Sequence, residues 1–295
     1  MRTLRPIPRL LAALLLAPNP GLAQAGSTSA DELASTLRER ALDDRRAYQL
    51  VRSLTAEVGP RLAGSAGDRR AVAWAEVALR ELGLAAVRSE PVTVPHWERG
   101  EAVARIVAPH PQPLVLTALG GSIGTPEEGI TAEVVRVGSL EELEGLADDA
   151  VRGRIVFIDR QMERHRDGSG YGEVVPIRTR GASQAAAKGA VASLIRSVGT
   201  GTHRFPHTGT TRYEEGVAPI PALALAIPDA ELLATQLAGG EPVVVHLRST
   251  SRMLPEALSA NVLAEVPGGE RAEEIVLLAC HLDSWDLGTG AIDDA

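Results

Sequence analysis

Glu274-Ile-Val-Leu-Leu-Ala-Cys280 runs directly into His281-Leu-Asp-Ser-Trp-Asp-Leu-Gly-Thr-Gly-Ala-Ile-Asp293-Asp294-Ala295, and the reading of the whole chain turns on these residues. The first segment is short, apolar after Glu274, and bounded upstream by Pro267-Gly268-Gly269. That pattern predicts a strand buried on both faces, as in a parallel sheet covered by helices. Open sheets of this kind place ligands beyond the carboxyl ends of their strands, which puts His281 where chemistry would be done. The loop that follows contains Gly288 and Gly290, which allow the backbone to fold Asp293 back toward His281. Imidazole nitrogen and carboxylate oxygen both suit zinc, so His281 and Asp293 are the candidate metal ligands. Asp283 is placed to accept the hydrogen bond from the other ring nitrogen, fixing the tautomer and raising the basicity of the ligand. A His-x-Asp pair by itself is equally consistent with a strand-end histidine held for structural reasons. The second carboxylate beyond the glycine loop favours a metal.

His281-Leu282-Asp283-Ser284-Trp285-Asp286 and Gly290-Ala291-Ile292-Asp293-Asp294 resemble the zinc-binding strand and loop of the co-catalytic di-zinc exopeptidases. That family includes aminopeptidases and a plasma glutamate carboxypeptidase (carboxypeptidase Q-like) subfamily, to which these residues look closest. The resemblance implies that His281 binds one of two zinc ions, that Asp293 bridges both, and that Asp283 supports the histidine from behind. It implies a cis Asp293-Asp294 peptide, a conformation that persists only where function holds it. It further implies hydrolysis of short peptides or dipeptides by a zinc-activated water, with a homodimer compatible with it. A Glu-Glu pair supplying the general base, then an Asp and a His, should follow, yet the sequence stops at Ala295. On this reading the chain is truncated at its carboxyl end, has no catalytic residue of its own, and is inactive alone.

The amino terminus has Arg2, Arg5 and Arg9, then Leu10-Leu-Ala-Ala-Leu-Leu-Leu-Ala17, then Ala23-Gln24-Ala25. A basic region, a short apolar core and an A-x-A site predict a signal peptide cleaved after Ala25 and hence a secreted or periplasmic protein. The apolar core is too short for a membrane span, and no later segment is a candidate. The formal net charge of -8 argues against nucleic acid or an anionic membrane as partner. Cys280 is the only cysteine, which excludes an internal disulfide, and strand alternation predicts a buried thiol facing away from His281.

Helical spacing predicts a helix over residues 31–57 stopped by Gly59-Pro60, and another after the Pro60–Gly67 loop with Ala71, Trp74, Ala75, Ala78 and Leu79 on one face. Strands are expected over 87–94 and 102–107. Gly-Pro-Arg-Leu-Ala-Gly-Ser (59–65) and Trp97-Glu98-Arg99-Gly100 are similar to the amino-terminal part of the same family. From about Pro111 to Thr250 the pattern changes to short strands at 130–137, 154–159, 222–227 and 243–247. A capping box at Ser139-Leu-Glu-Glu142 opens a short helix, a helix from Gly181 passes at Gly189 into a strand, and another helix lies near 229–237. This stretch resembles a protease-associated domain, as does Pro206-His207-Thr208-Gly209. The fold expected is therefore α/β: the mostly parallel sheet of a zinc exopeptidase, incomplete, with an inserted mixed α/β domain. The segments are 1–25 signal peptide, 26–110 amino-terminal part, 111–250 inserted domain, and 251–295 the start of the catalytic sheet.

Three rival sites weigh less. Gly120-Gly-Ser122-Ile-Gly124 matches a serine nucleophile elbow but runs into Thr125-Pro126 and a strand, whereas the elbow needs a helix immediately after the serine. Ser122 as the nucleophile of a serine hydrolase is the remote alternative. His203 and His207 lie four apart in a proline-containing loop, where that spacing does not suggest metal; His207 is kept as a substrate-facing candidate. His165, within Glu163-Arg-His-Arg-Asp167, reads as a solvated charged loop. Against the enzymatic reading stands one from another class, an inactive fragment that acts as a secreted peptide- or protein-binding module.

Overall fold

The computed structural model describes residues 29–292, so the expected signal peptide, Asp293 and the Asp293-Asp294 peptide lie outside the described residues. The chain divides into two compact units, one ending at Ala47 and one starting at Tyr48. In the first, α1 (Ala30–Asp43) opens on a capping box in which Ser29 and Glu32 each accept the other's backbone N–H. The single helix expected over 31–57 is interrupted at Asp44, whose carboxylate accepts the Arg46 N–H and begins α2 (Arg46–Ser53). A wider helical turn over Leu54–Val58 follows and ends at Gly59, at φ +72°.

In the second unit, α3 (Ala66–Glu81) starts at Ser65, whose hydroxyl accepts the Asp68 N–H. Leu54, Val58 and Ala71 pack together there, with Trp74 and Leu282 against them. Next come β1 (Ala85–Glu98), β2 (Ala102–Ala108), β3 (Gln112–Leu114), β4 (Leu116–Ala118) and β5 (Ile130–Val137). They are followed by α4 (Leu140–Gly145), α5 (Asp148–Val151), β6 (Ile155–Ile158), α6 (Ser169–Ala187), β7 (Ala192–Arg196) and β8 (Ala222–Leu225). Last are α7 (Ile227–Ala238), β9 (Val244–Ser249) and β10 (Arg252–Glu265).

Eight strands form one sheet in the order β3-β2-β9-β5-β6-β7-β8-β4. The run from β5 to β8 is parallel, while β9 with β5 and β2, β2 with β3, and β8 with β4 are antiparallel. Helices cover both faces. Ile155 and Phe157 of β6 join Ala230 and Leu233 of α7, whereas Val156 and Ile158 join Leu140 and Leu143 of α4 and Val174, Ile177 and Ala182 of α6. Each of the large apolar side chains among these contributes about 1.5–3 kcal/mol by leaving water. β2 belongs to this sheet, although the boundary read from sequence assigned residues up to 110 to the preceding segment.

β1 and β10 form a separate antiparallel ribbon from Ala85↔Glu265 to Glu98↔Arg252. The ribbon leads directly into the β2·β9 pair, beginning at Ala102↔Ser249. Gly100, at φ +62°, makes the passage possible: a Cβ there would sit 2.3 Å from Thr250 Oγ1. Glu101 N–H donates to Thr250 Oγ1, and Thr250 N–H donates to Glu101 O.

The sheet that forms is mixed, with a parallel centre and antiparallel pairs at both flanks. Two expectations are corrected. Glu274–Cys280 is not a strand: Ile275, Val276, Leu277 and Leu278 are 80–91 % exposed, and Cys280 is exposed rather than buried. An apolar run becomes an interior strand only where neighbours accept its backbone groups on both sides, and none of the described strands pairs with it. α6 begins at Ser169, well before Gly181, because its glycines and Pro176 read as loop while its Val174, Ile177 and Ala182 face selects helix.

Candidate functional site: a clamped loop beside a cleft

The loop from His281 to Gly290 has no regular structure, and two buried arginines from distant parts of the chain give it its shape. Arg61, 2 % exposed, donates through Nε to Leu282 O, through Nη1 to Thr289 O at 3.1 Å and through Nη2 to Gly290 O at 2.9 Å. It also reaches Gly59 O, and its own carbonyl accepts the Ser284 N–H. Both ends of the loop therefore converge on one guanidinium. Burial lowers the pKa of Arg61 from its ordinary value and the nearby charge of Asp283 partly offsets that, but an arginine stays cationic in any case. Gly290, at φ +67°, is required by this approach, since a Cβ would lie 2.5 Å from Ser284 and 2.6 Å from Arg61 Nη1.

Arg99, 7 % exposed, holds the middle of the loop. Its Nε and Nη2 donate to the Asp286 carboxylate, at 2.9 Å and 2.6 Å to Oδ1, in a planar fork. Its Nη1 donates to Thr117 Oγ1, Ala118 O and Thr208 Oγ1. The guanidinium also lies 5.0 Å from the ring centre of Trp97 and 5.8 Å from that of Trp285. One side chain thus ties the loop to β4 and to the 206–211 segment.

On this frame His281 is exposed, and its Nδ1 stands 2.9 Å from Asp283 O and 3.2 Å from Asp283 Oδ1. The structure brings these two residues together, with the backbone oxygen as the shorter contact. Contact with either oxygen would leave Nε2 as the nitrogen to face a metal. Leu282, next to the histidine, packs on the cluster of Leu54, Val58 and Ala71. The donor set within the described residues is partial: no group of three or more His, Cys, Asp or Glu among them could hold a metal ion. Asp293, the second candidate ligand, follows Ile292 outside them.

A cleft of about 680 Å³ opens beside the loop, lined by Tyr171, Arg178, His207, Arg212, Trp285 and Ile292 among others. His207, the substrate-facing candidate, lies in this cleft rather than with His281 in any metal group. Its backbone N–H donates to Ser197 Oγ. Burial lowers the His207 pKa, the Arg178 charge lowers it further, and a hydrogen bond with the Thr208 backbone opposes both, so the ring is neutral near pH 7. His203 stacks on Phe205, and His165 sits 3.5 Å from Glu163 in a charged loop. Ser122 is fully buried; its hydroxyl donates to Ile123 O and accepts the Ala222 N–H. No nucleophile is presented there, and the serine-hydrolase alternative falls on that geometry.

Arg61, Arg99 and Arg178 carry the site and were not singled out from the sequence. Arg61 and Arg99 each stood inside a family-like stretch, residues 59–65 and Trp97-Glu98-Arg99-Gly100, but nothing local marked them as clamps, because their loop partners lie 187–229 positions away.

Residues 261–295 match the family model of peptidase family M28. Human carboxypeptidase Q is 41 % identical over 84 % of this chain and 51 % of that protein. The crystal structure of a peptidase M28 precursor from Shewanella amazonensis superposes with a TM-score of 0.87 at 52 % identity, covering 89 % of this chain and 60 % of the other. A zinc aminopeptidase from Bacillus subtilis, at 22 % identity and a TM-score of 0.51 over 76 % of this chain and 47 % of its own, shares the fold. The chain spans about half the length of the curated relatives it matches.

Proposed function

Because the chain belongs to peptidase family M28, we propose that the protein works as a zinc exopeptidase, hydrolysing terminal peptide bonds of short peptides or dipeptides. The observation that carries this is the His281–Asp283 pair on a loop clamped by Arg61 and Arg99, since a ligand histidine needs a fixed ring and a basic face. His281 and Asp293 would hold the metal, in a site of two zinc ions. When bound, zinc supplies polarisation of the scissile carbonyl and activation of the attacking water. The chain's own residues do the rest. Asp283 orients His281, Arg61 and Arg99 keep the loop from relaxing into solvent, and His207 presents a neutral imidazole to whatever occupies the cleft. No residue of this chain is assigned the general-base step.

The inserted protease-associated domain corresponds to the eight-stranded sheet with its helices, and export follows from the charged, apolar and A-x-A pattern of residues 1–25. No helix among the described residues is long and apolar enough to cross a membrane.

Zinc stoichiometry by elemental analysis, paired with hydrolysis of unblocked dipeptides by the purified protein, tests the proposal. Zinc retained by the protein and reduced in His281→Ala is expected, with any dipeptide turnover abolished by chelator. Turnover that survives complete removal of metal would sink it, as would unaltered zinc content in His281→Ala.

A further inference from the structure

Arg61 and Arg99 grip the loop at different points. Arg99 holds its middle at Asp286, which fixes where the loop lies against β4 and the 206–211 segment. Arg61 holds its two ends. Leu282, whose carbonyl accepts from Nε at 2.5 Å, directly follows His281, and Gly290, whose carbonyl accepts from Nη2 at 2.9 Å, stands shortly before Asp293. One planar group thus sets the separation of the two points from which the candidate ligands depart.

The guanidinium is itself firmly mounted. Arg61 lies in the turn that leads into α3, where Ser65 N–H donates to Leu62 O and Gly64 N–H donates to the buried Asp68 carboxylate at 2.9 Å. Gly67, in the first turn of α3, packs so closely that a Cβ there would lie 2.1 Å from Pro60 O and 2.9 Å from Arg61 Cα. Arg61 Nη1 also reaches Thr289 O, and the Arg61 carbonyl accepts the Ser284 N–H, so side chain and backbone together bond to Leu282, Ser284, Thr289 and Gly290. A residue fixed on one side by helix and turn carries that rigidity across to the loop on its other side. The rigid fork of a guanidinium can hold both ends at once. An ammonium is a point charge on a flexible stem and does not fix their separation.

We infer that Arg61 is a positioning residue: it sets the ends of the His281–Gly290 loop in the metal-free chain, so that zinc meets a preformed loop instead of ordering one as it binds. The inference rests on the peptidase reading and deepens it. Binding that must also order a flexible loop is weakened by the entropy lost, so removal of the clamp appears as lost metal affinity.

The test is the zinc affinity of the full chain, measured in competition with a chromogenic chelator, together with the visible absorption of the cobalt(II)-loaded protein. Arg61→Lys keeps the charge and is expected to bind zinc at least tenfold more weakly, with a shifted cobalt band that reports altered ligand geometry. Arg70 donates from α3 to Val58 O instead of to the loop, and Arg70→Gln should stay within threefold of the unaltered protein. Full zinc affinity and an unchanged cobalt band in Arg61→Lys overturn the inference. So does an equal loss in Arg70→Gln, which would assign the effect to loosened packing around α3. Amide exchange over residues 282–290 in the zinc-free, unaltered protein is expected to be slow. Fast exchange there overturns the inference even where a variant folds poorly, because a preformed loop is its premise. The two readings fail separately. Slow exchange that becomes at least tenfold faster in Arg61→Lys, in a chain that binds no zinc, leaves Arg61 in control of the loop and removes the peptidase. Zinc bound equally by the unaltered and Arg61→Lys proteins, at equal exchange rates, does the reverse.

Discussion

Ile155–Ile158 and Ile275–Leu278 are the same kind of sequence, four consecutive large apolar residues, or nearly so, and they end in opposite states. The first is β6, fully buried between β5 and β7 with helices on both faces; the second is unpaired and almost fully exposed. The difference lies outside either segment. β6 finds strands on both sides that take up its N–H and C=O groups, and α6 and α7 to receive its alternate side chains. An apolar run thus states a demand for neighbours, and whether it becomes a strand depends on who meets the demand. The loop just after the second segment teaches a complementary lesson: His281–Gly290 lacks backbone pairing too, yet it is held, because Arg61 and Arg99 substitute side-chain donors for a sheet.

The largest expected effect separates the two apolar runs. Phe157→Ala should cost about 3–5 kcal/mol, since a fully buried ring leaves a cavity bounded by α7 and the neighbouring strands. Val276→Ala, at 87 % exposure, should change stability by less than about 0.5 kcal/mol. Chemical denaturation of both variants checks this, and a comparable loss in Val276→Ala would show that the run is packed in solution.

Next in size is the Arg99–Asp286 fork. Asp286→Ala should cost about 3 kcal/mol, because it strands a buried guanidinium without its anion. Replacing both partners by apolar residues should recover part of that loss. A double-mutant cycle followed by denaturation measures the coupling; strictly additive losses would mean that the fork does not hold the loop. A smaller effect is expected for Gly290→Ala, about 1–3 kcal/mol, from a Cβ forced against Ser284 and the Arg61 guanidinium at a positive φ. Its signature is faster amide exchange over residues 282–290 with the sheet unchanged. Uniform acceleration in both regions would merge what the comparison keeps apart.

Much of the sheet was legible because its signals are local. β5 begins and ends where alternation placed it, Ser139 caps α4, and Gly189 at φ +84° closes the α6-to-β7 turn at the residue marked in advance. The Glu142 carboxylate returns to the Gly138 N–H rather than to the cap residue, a shift of one position from the expected box. What stayed hidden was non-local or masked. Gly170, Gly172 and Pro176 conceal the first turns of α6, and its burial against β6 outweighs their propensities. His281 and Asp283 were visible as a pair because they are two residues apart. Arg61 and Arg99 were not, because single arginines give no periodic signal, and their loop partners lie 187–229 positions away.

The smallest predicted effects use pH, and they sharpen the comparison by having opposite signs on its two sides. Tyr213 packs at the edge of the sheet's core; burial pushes its phenol up to about 12, with its contact to Ser122 acting weakly against that. The unfolded chain loses that proton near 10, so between 10 and about 12 the folded state binds more protons than the unfolded one. Stability contributed by neutral Tyr213 is complete below pH 10 and drains away as pH rises toward 12. His207, in the cleft, is shifted the other way by burial and by Arg178. Below its ordinary value of 6.5 the unfolded chain takes up a proton that the folded chain resists, so the His207 contribution is complete above 6.5 and declines as pH falls. Tyr213→Phe should flatten only the alkaline limb of a stability-against-pH curve, and His207→Gln only the acid limb.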